Sequence, residues 1–338
     1  MDNTKTSRIS AKMIIIGCVV LCIALALGLV WLFRAYDDYL ALQEERSPEI
    51  EASCDEDHFL EVLDAYDPDG YFLVKTGLDN GDDITQYYED VNLAVDVLGT
   101  IVHEECHEYS RMDDENDERL YMGDGDSIVV SHTEIYPTVE MAATIPEECK
   151  SFRYENYIGS PSDILATNVD GIYGLLNEFC AYTWGTNNDI CLYDYYDKEG
   201  PDNQYTWGIW LSLACGNKLA YAEFKYYILH YLLYAQENYP AVYDGIMAND
   251  NFREAYRILE GKYAEIAKKQ DEYTAQIIKK LDTPFSKVEY EPNVQLRVTN
   301  IISKASDVTS LSSGEYETLL KEIAKPEHQQ IHDALVAQ

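Results

Sequence analysis

The sequence predicts a mostly helical α+β ectodomain carried behind a single transmembrane helix. Three observations predict it. Met13 to Phe33 is a 21-residue stretch with neither charge nor proline, the length a helix needs to cross about 30 Å of hydrocarbon. Beyond it, apolar residues recur at spacings of three and four over several long stretches, the period of amphipathic helices. Hairpin chemistry stands out at one place, Gly123-Asp124-Gly125-Asp126, set between the β-prone runs 119–122 and 128–132.

Taken in order, Lys5, Arg8 and Lys12 precede the apolar stretch against a single acid, Asp2, while Arg34, Asp37 and Asp38 follow it. The positive-inside rule then makes residues 1–12 a cytoplasmic N-terminus and 13–33 a single-pass anchor in the cell membrane, leaving everything after it extracellular. A cleaved signal peptide ending near Ala24-Leu25-Ala26 is the competing reading. The apolar run continues from Leu27 to Phe33, which favours an uncleaved anchor, with the lipid bilayer as one partner. Residues 34–53 read as a stalk, and a folded domain starts near Cys54.

Within that domain a helix is expected at 57–66, closed by the turn residues Asp67-Pro68-Asp69-Gly70. A long helix is expected over 83–110, where Ile84, Tyr88, Val91, Val95, Leu98 and Val102 share the helical period. Another helix covers 170–185. Asn217 to Glu237 is apolar and aromatic around most of its circumference, which marks a core helix. From Phe252 to Leu281 an amphipathic helix of about 45 Å follows, at 1.5 Å per residue. The tail beyond Pro284 is mixed. The organisation expected is a main domain over 54–240 and a helical C-terminal part over 241–338.

Composition narrows the functions. Acidic residues number 61 against 25 basic, for a net charge of -36, which repels phosphate backbones and excludes nucleic acid as a partner. Cys18 and Cys22 fall in the anchor. Cys54, Cys106, Cys149, Cys180, Cys191 and Cys215 are left outside, where they permit three disulfides in any of about 15 connectivities; buried free thiols are the alternative. The acidic run Asp113 to Glu118 and the pair Asp124 and Asp126 lack the twelve-residue calcium-loop spacing and read as solvated loop. His328 and His332 read as part of a solvated C-terminal helix.

The chemistry concentrates at His103-Glu104-Glu105-Cys106-His107, an H-E-x-x-H pattern inside a helical stretch. Residues four apart share a helix face, so both imidazoles can reach one metal, with Glu104 beside it facing a water. Two imidazoles and a carboxylate suit one zinc ion, leaving a fourth position open. Gly99 and Thr100, one turn earlier, leave room above the metal.

This pattern resembles the zincin metallopeptidases. Metzincins continue it with glycine and a third histidine, where this chain has Ser110 and Asp113; Asp113 is the alternative ligand on that pattern. Gluzincins take a glutamate from a later helix, and Asn177-Glu178-Phe179-Cys180-Ala181 resembles their N-E-x-x-A segment. The resemblance implies a zincin-like catalytic domain over 54–240 with Glu178 as third ligand. Gluzincins usually place an aspartate four residues later to orient a zinc histidine, and here that position is Tyr182.

The resemblance further implies hydrolysis of a peptide or protein substrate, with Glu104 as general base and a tyrosine or histidine steadying the oxyanion. Tyr157, Tyr173, Tyr182, His132 and His230 are the choices for that donor, and Tyr157 is preferred. Tyr173, five before Glu178, points about 140° away from it on a regular helix. The hairpin is expected to offer an edge strand to an extended peptide. A non-catalytic binding or structural ectodomain on the same scaffold is the alternative, with a sensor ectodomain third.

Overall fold

The computed structural model describes residues 56–87, 97–162, 165–199, 204–311 and 314–337. These all belong to one compact unit. The anchor 13–33, the stalk and Cys54 lie outside the described residues, and among those described no helix is long and apolar enough to cross a membrane. The architecture is mostly helical with two small antiparallel sheets.

Helix α1 (Glu56–Tyr66) runs into α2 (Pro68–Asn80) with only Asp67 between them. The segment 67–70, expected to be a turn, starts a second helix instead. Pro68 occupies the first helical turn, where its missing N–H costs nothing and its fixed φ is already helical. Gly81, at φ 100°, closes α2: its N–H donates to the Leu78 carbonyl and the Asp82 N–H to that of Gly77.

The helix expected over 83–110 is present as α3 (Leu98–Ser110). At its expected start the chain makes one 3₁₀ turn, Thr85–Tyr87. There the Asp83 carboxylate accepts both the amide and the hydroxyl of Thr85, a local bond that competes with helix propagation. Residues 88–96 lie outside the described residues.

Strands β1 (Asp117–Gly123) and β2 (Asp126–Ser131) pair antiparallel, Leu120 opposite Ile128. Asp124 (φ 53°) and Gly125 (φ 80°) both take positive φ, the two-residue turn that matches strand twist. An irregular segment with 3₁₀ turns at Thr138–Thr144 and Glu147–Cys149 and a π turn at Glu155–Gly159 follows. It leads through the short α4 (Ala166–Val169) to the long helices α5 (Ile172–Glu199) and α6 (Gln204–Asn238). The expected helix 170–185 therefore continues for four more turns. Its second half holds Gly185-Thr186-Asn187-Asn188-Asp189, poor helix formers on their own. All four residues after Gly185 are buried, so packing supplies what propensity lacks.

Helix α6 is the core helix: Phe224, Tyr226, Tyr227, Leu229 and Tyr231 are all fully buried. Helix α5 packs between α3 and α6. After α7 (Pro240–Met247), α8 (Asp250–Leu281) lies along both α5 and α6, so residues 241–338 share one core with what precedes them. The Asn249 side chain caps α8 by accepting the Phe252 amide.

The C-terminal part is not all helical. β3 (Ser286–Glu291), β4 (Gln295–Asn300) and β5 (Ser306–Ser310) form an antiparallel sheet before α9 (Glu315–Ile323) and α10 (Pro326–Val336). Only Leu296 and Val298 of β4 bury alternate positions, too short a period-two signal to stand out in sequence. Helix α10 is not solvated either: His328 is 2% exposed, and its ring lies 3.3 Å from that of His230.

Candidate metal centre

Helix α3 presents His103 and His107 on one face, and α5 brings Glu178 to meet them. The two imidazole Nε2 atoms lie 3.1 Å apart. Glu178 Oε2 lies 3.6 Å from His107 Nε2 and 3.9 Å from His103 Nε2. Donors tetrahedrally arranged about zinc at roughly 2.0–2.2 Å stand about 3.3–3.5 Å from one another, so the three atoms nearly outline one face of such a site. Asp113, the alternative ligand, is exposed in the loop before β1 and does not join them.

Asn177 orders the centre. Its Oδ1 accepts the proton of His107 Nδ1, and its Nδ2 donates to Ser110 Oγ at 2.8 Å and to Glu118 Oε2 at 3.0 Å. Ser110 in turn donates to the His107 carbonyl. In its neutral form, with the proton on Nδ1, His107 turns the lone pair of Nε2 toward the centre, the tautomer a ligand needs. Glu118 is a correction to the solvated acidic run: residues 113–116 are exposed, but Glu118 lies inside β1 and is 8% exposed. Its other oxygen stands 3.8 Å from His132 Nε2.

Tyr182 stands on α5 four residues after Glu178. Its ring meets His103 edge-on, centroids 4.4 Å apart, so packing orients this imidazole. Burial, followed by His107 and Arg153, holds the His103 pKa well below its usual value. Burial also opposes a charge on His107, but Glu178 and then Asn177 outweigh it and lift that imidazole to about 9. Burial raises the carboxyl of Glu104, with Glu178 and Glu108 adding to it against His107.

A cleft of about 290 Å³ opens beside the histidines, lined by His103, Glu104, Arg153, Tyr157, Tyr182 and Asn217 among others. Glu105, the motif's second glutamate, is buried and turned to Gly77 of α2, which separates the two acids by role. The Tyr157 hydroxyl lies 3.3 Å from that of Tyr182, and both line the cleft. The other three oxyanion choices are elsewhere. Tyr173 is fully buried with its hydroxyl on Thr133, His132 stacks on Tyr173, and His230 bonds Thr144. Gly99 and Thr100 do line the cleft. Gly99 also sets the crossing of α3 on α5: a β-carbon on Gly185 would lie 2.7 Å from the Gly99 carbonyl oxygen.

The hairpin buttresses the centre and lines none of the cleft. On β2 the carbonyls of Val129 and Ser131 accept from Asn251 and Asn249, and on β1 the Tyr121 carbonyl accepts from Trp184. These edges are already occupied, against the expectation of a peptide-binding strand.

Among the described residues the cysteines are thiols. Cys106, Cys149, Cys180, Cys191 and Cys215 are all free, and the sulfurs of Cys106 and Cys180 lie 3.7 Å apart.

No protein family, curated protein or solved structure matches the chain.

Three residues of the site escaped the sequence reading: Glu118, Arg153 and Glu223. Arg153 is 7% exposed and Glu223 fully buried, and they pair at 2.8 Å. Nothing local marks them, because each is defined by a partner distant in sequence.

Proposed function

We propose that the chain is a gluzincin-type zinc metallopeptidase with a zincin-like catalytic domain, carried outside the cell on the membrane helix 13–33. The observation that carries the reading is the convergence of His103, His107 and Glu178, with Glu104 on the adjoining cleft. The donor set fits zinc: two imidazoles and a carboxylate, with Glu178 Oε2 buried and lacking any hydrogen-bond partner. Zinc held there would supply Lewis acidity toward a substrate carbonyl and toward water.

The chain's own residues do the rest. Glu104, raised by burial, takes a proton from the attacking water and passes it to the leaving amine as the C–N bond breaks. Tyr157, with Tyr182 beside it, supplies hydroxyl donors toward the carbonyl oxygen where negative charge develops. Asn177 keeps the His107 tautomer fixed throughout.

The test is a pair of proteins at equal zinc content. The parent cleaves a diverse peptide library, and Glu104→Gln loses about 10²- to 10⁴-fold in rate, the usual cost of removing a general base. A zinc-loaded parent that cleaves nothing favours a non-catalytic ectodomain on the same scaffold. Topology is checked separately, since protease added to intact cells should remove the domain.

A further inference from the structure

Arg153 has an arrangement that hydrolysis at the metal centre does not use. It sits on the segment that carries Tyr157, across the cleft from α3. Its Nη1 donates to Glu223 Oε2 at 2.8 Å, and Glu223 Oε1 accepts the Arg153 amide at 2.9 Å and the Ser151 hydroxyl at 2.6 Å. The guanidinium lies 4.6 Å over the Tyr182 ring. A rigid fork is thus held from one side, while its Nε is buried with no hydrogen-bond partner. Such a donor is costly to leave unmade.

In a chain where acids outnumber bases 61 to 25, Arg153 is the only lysine or arginine lining this cleft among the described residues. A guanidinium held in fixed geometry with its Nε donor unmade matches a carboxylate. Its place is two ring contacts from the proposed metal ligands, the guanidinium over Tyr182 and Tyr182 edge-on to His103. Those contacts, 4.6 and 4.4 Å, put the guanidinium within about 9 Å of the His103 ring; a hydrogen bond to the carboxylate spans about 2.9 Å of it, and one or two residues of an extended peptide, at about 3.3–3.6 Å each, cover the rest. The cleft, about 290 Å³, is at the small end for ligand sites and suits a chain end better than a long extended segment.

We propose that Arg153 captures the free C-terminal carboxylate of a peptide, so that the enzyme removes one or two residues from C-terminal ends. This rests on the metallopeptidase reading and adds a substrate class to it. The peptide bond one or two residues before the terminus is hydrolysed: water adds to its carbonyl carbon, the C–N bond breaks, and the shortened peptide leaves with a new carboxylate while the released piece takes the proton on its amine.

The experiment compares peptides of identical sequence with a free or an amidated C-terminus, using the zinc-loaded protein and its Glu104→Gln variant. The expected result is about ten- to hundredfold higher kcat/KM for the free acid, carried mainly by KM, with products one or two residues shorter. Glu104→Gln should bind the free acid more tightly than the amide by a similar factor. Arg153→Gln should bring both ratios near one. Because it leaves Glu223 buried and unpaired, the double variant Arg153→Gln/Glu223→Gln is measured beside it, with the same expectation. Equal cleavage of acid and amide, or cuts at internal bonds, overturns the carboxylate site and leaves the metallopeptidase standing. A binding preference for the acid without cleavage keeps the site and removes the peptidase. Neither cleavage nor preference overturns both.

Discussion

Asn177 holds His107 by the nitrogen that faces away from the candidate metal centre, and Glu118 holds Asn177. All three hydrogen-bonding positions of the amide that the site engages point the same way: Oδ1 accepts, and Nδ2 donates twice. Flipping the amide would set donor against donor, so the amide orientation and the His107 tautomer fix each other. Asn177→Ala should therefore weaken zinc binding by about 10- to 100-fold, the usual effect of losing a ligand's outer partner. Competition against a chelator of known affinity measures it; unchanged affinity would mean that the tautomer is set some other way.

Removing a ligand has a larger effect than removing its support. Glu178→Ala should abolish stoichiometric zinc, because two donors retain little of the geometry. Asp113→Ala should retain it, since Asp113 is exposed and lies apart from the three donors. Metal content after dialysis separates them, and the reverse pattern would transfer the third ligand to the loop before β1.

Asp67 gives the fold a pH signature. Burial raises its carboxyl to about 6 against the opposing hydrogen bond from Asn188. The folded protein thus favours the neutral acid. That contribution is complete below about 3.8 and is lost as pH rises through about 6. Asp67→Asn should flatten the stability profile between about pH 4 and 6 relative to the parent, whatever it does to absolute stability. Urea midpoints across that range give the difference, and parallel profiles would show that Asp67 ionises normally.

The buried thiols should be slow to alkylate. A hydrogen bond with Cys180, then burial, raises the Cys106 thiol, while burial lifts Cys149 to about 11 and Cys215 to about 12. Since the thiolate is the nucleophile, iodoacetamide at pH 8 should leave them unmodified until the protein is denatured. Intact-mass measurement reads this directly, and prompt labelling of Cys106 or Cys180 would show that α3 and α5 separate readily.

What could be read ahead of the structure was whatever a short stretch of chain determines alone. His103 and His107 share a face by helical geometry, Asp124-Gly125 supplies its own turn, and α8 declares its length by period. Glu178 needed a second motif, and its meeting with the histidines rests on α3 packing against α5. Glu118 was hidden in a run of charge, because an inward strand position looks like its outward neighbours until the strand is placed. Arg153 was beyond reach: its partner is 70 residues away, on a helix whose sequence declares only that it is buried. The three-stranded sheet was missed for a related reason, since β5 exposes nearly every side chain and carries no alternation.

The contact of Gly99 with Gly185 governs more than the packing of two helices. All three proposed metal donors ride on α3 and α5, and Glu178 stands two turns of α5 before Gly185, about 10 Å along the axis. The glycine contact is then a fulcrum, with the donors at the end of a short lever. A single methyl group inserted there, as in Gly185→Ala, must prise the backbones apart, and a tilt of a few degrees at the crossing moves Glu178 against the imidazoles by several tenths of an ångström. The dimension that decides whether three side chains can share one ion is set by the absence of two β-carbons.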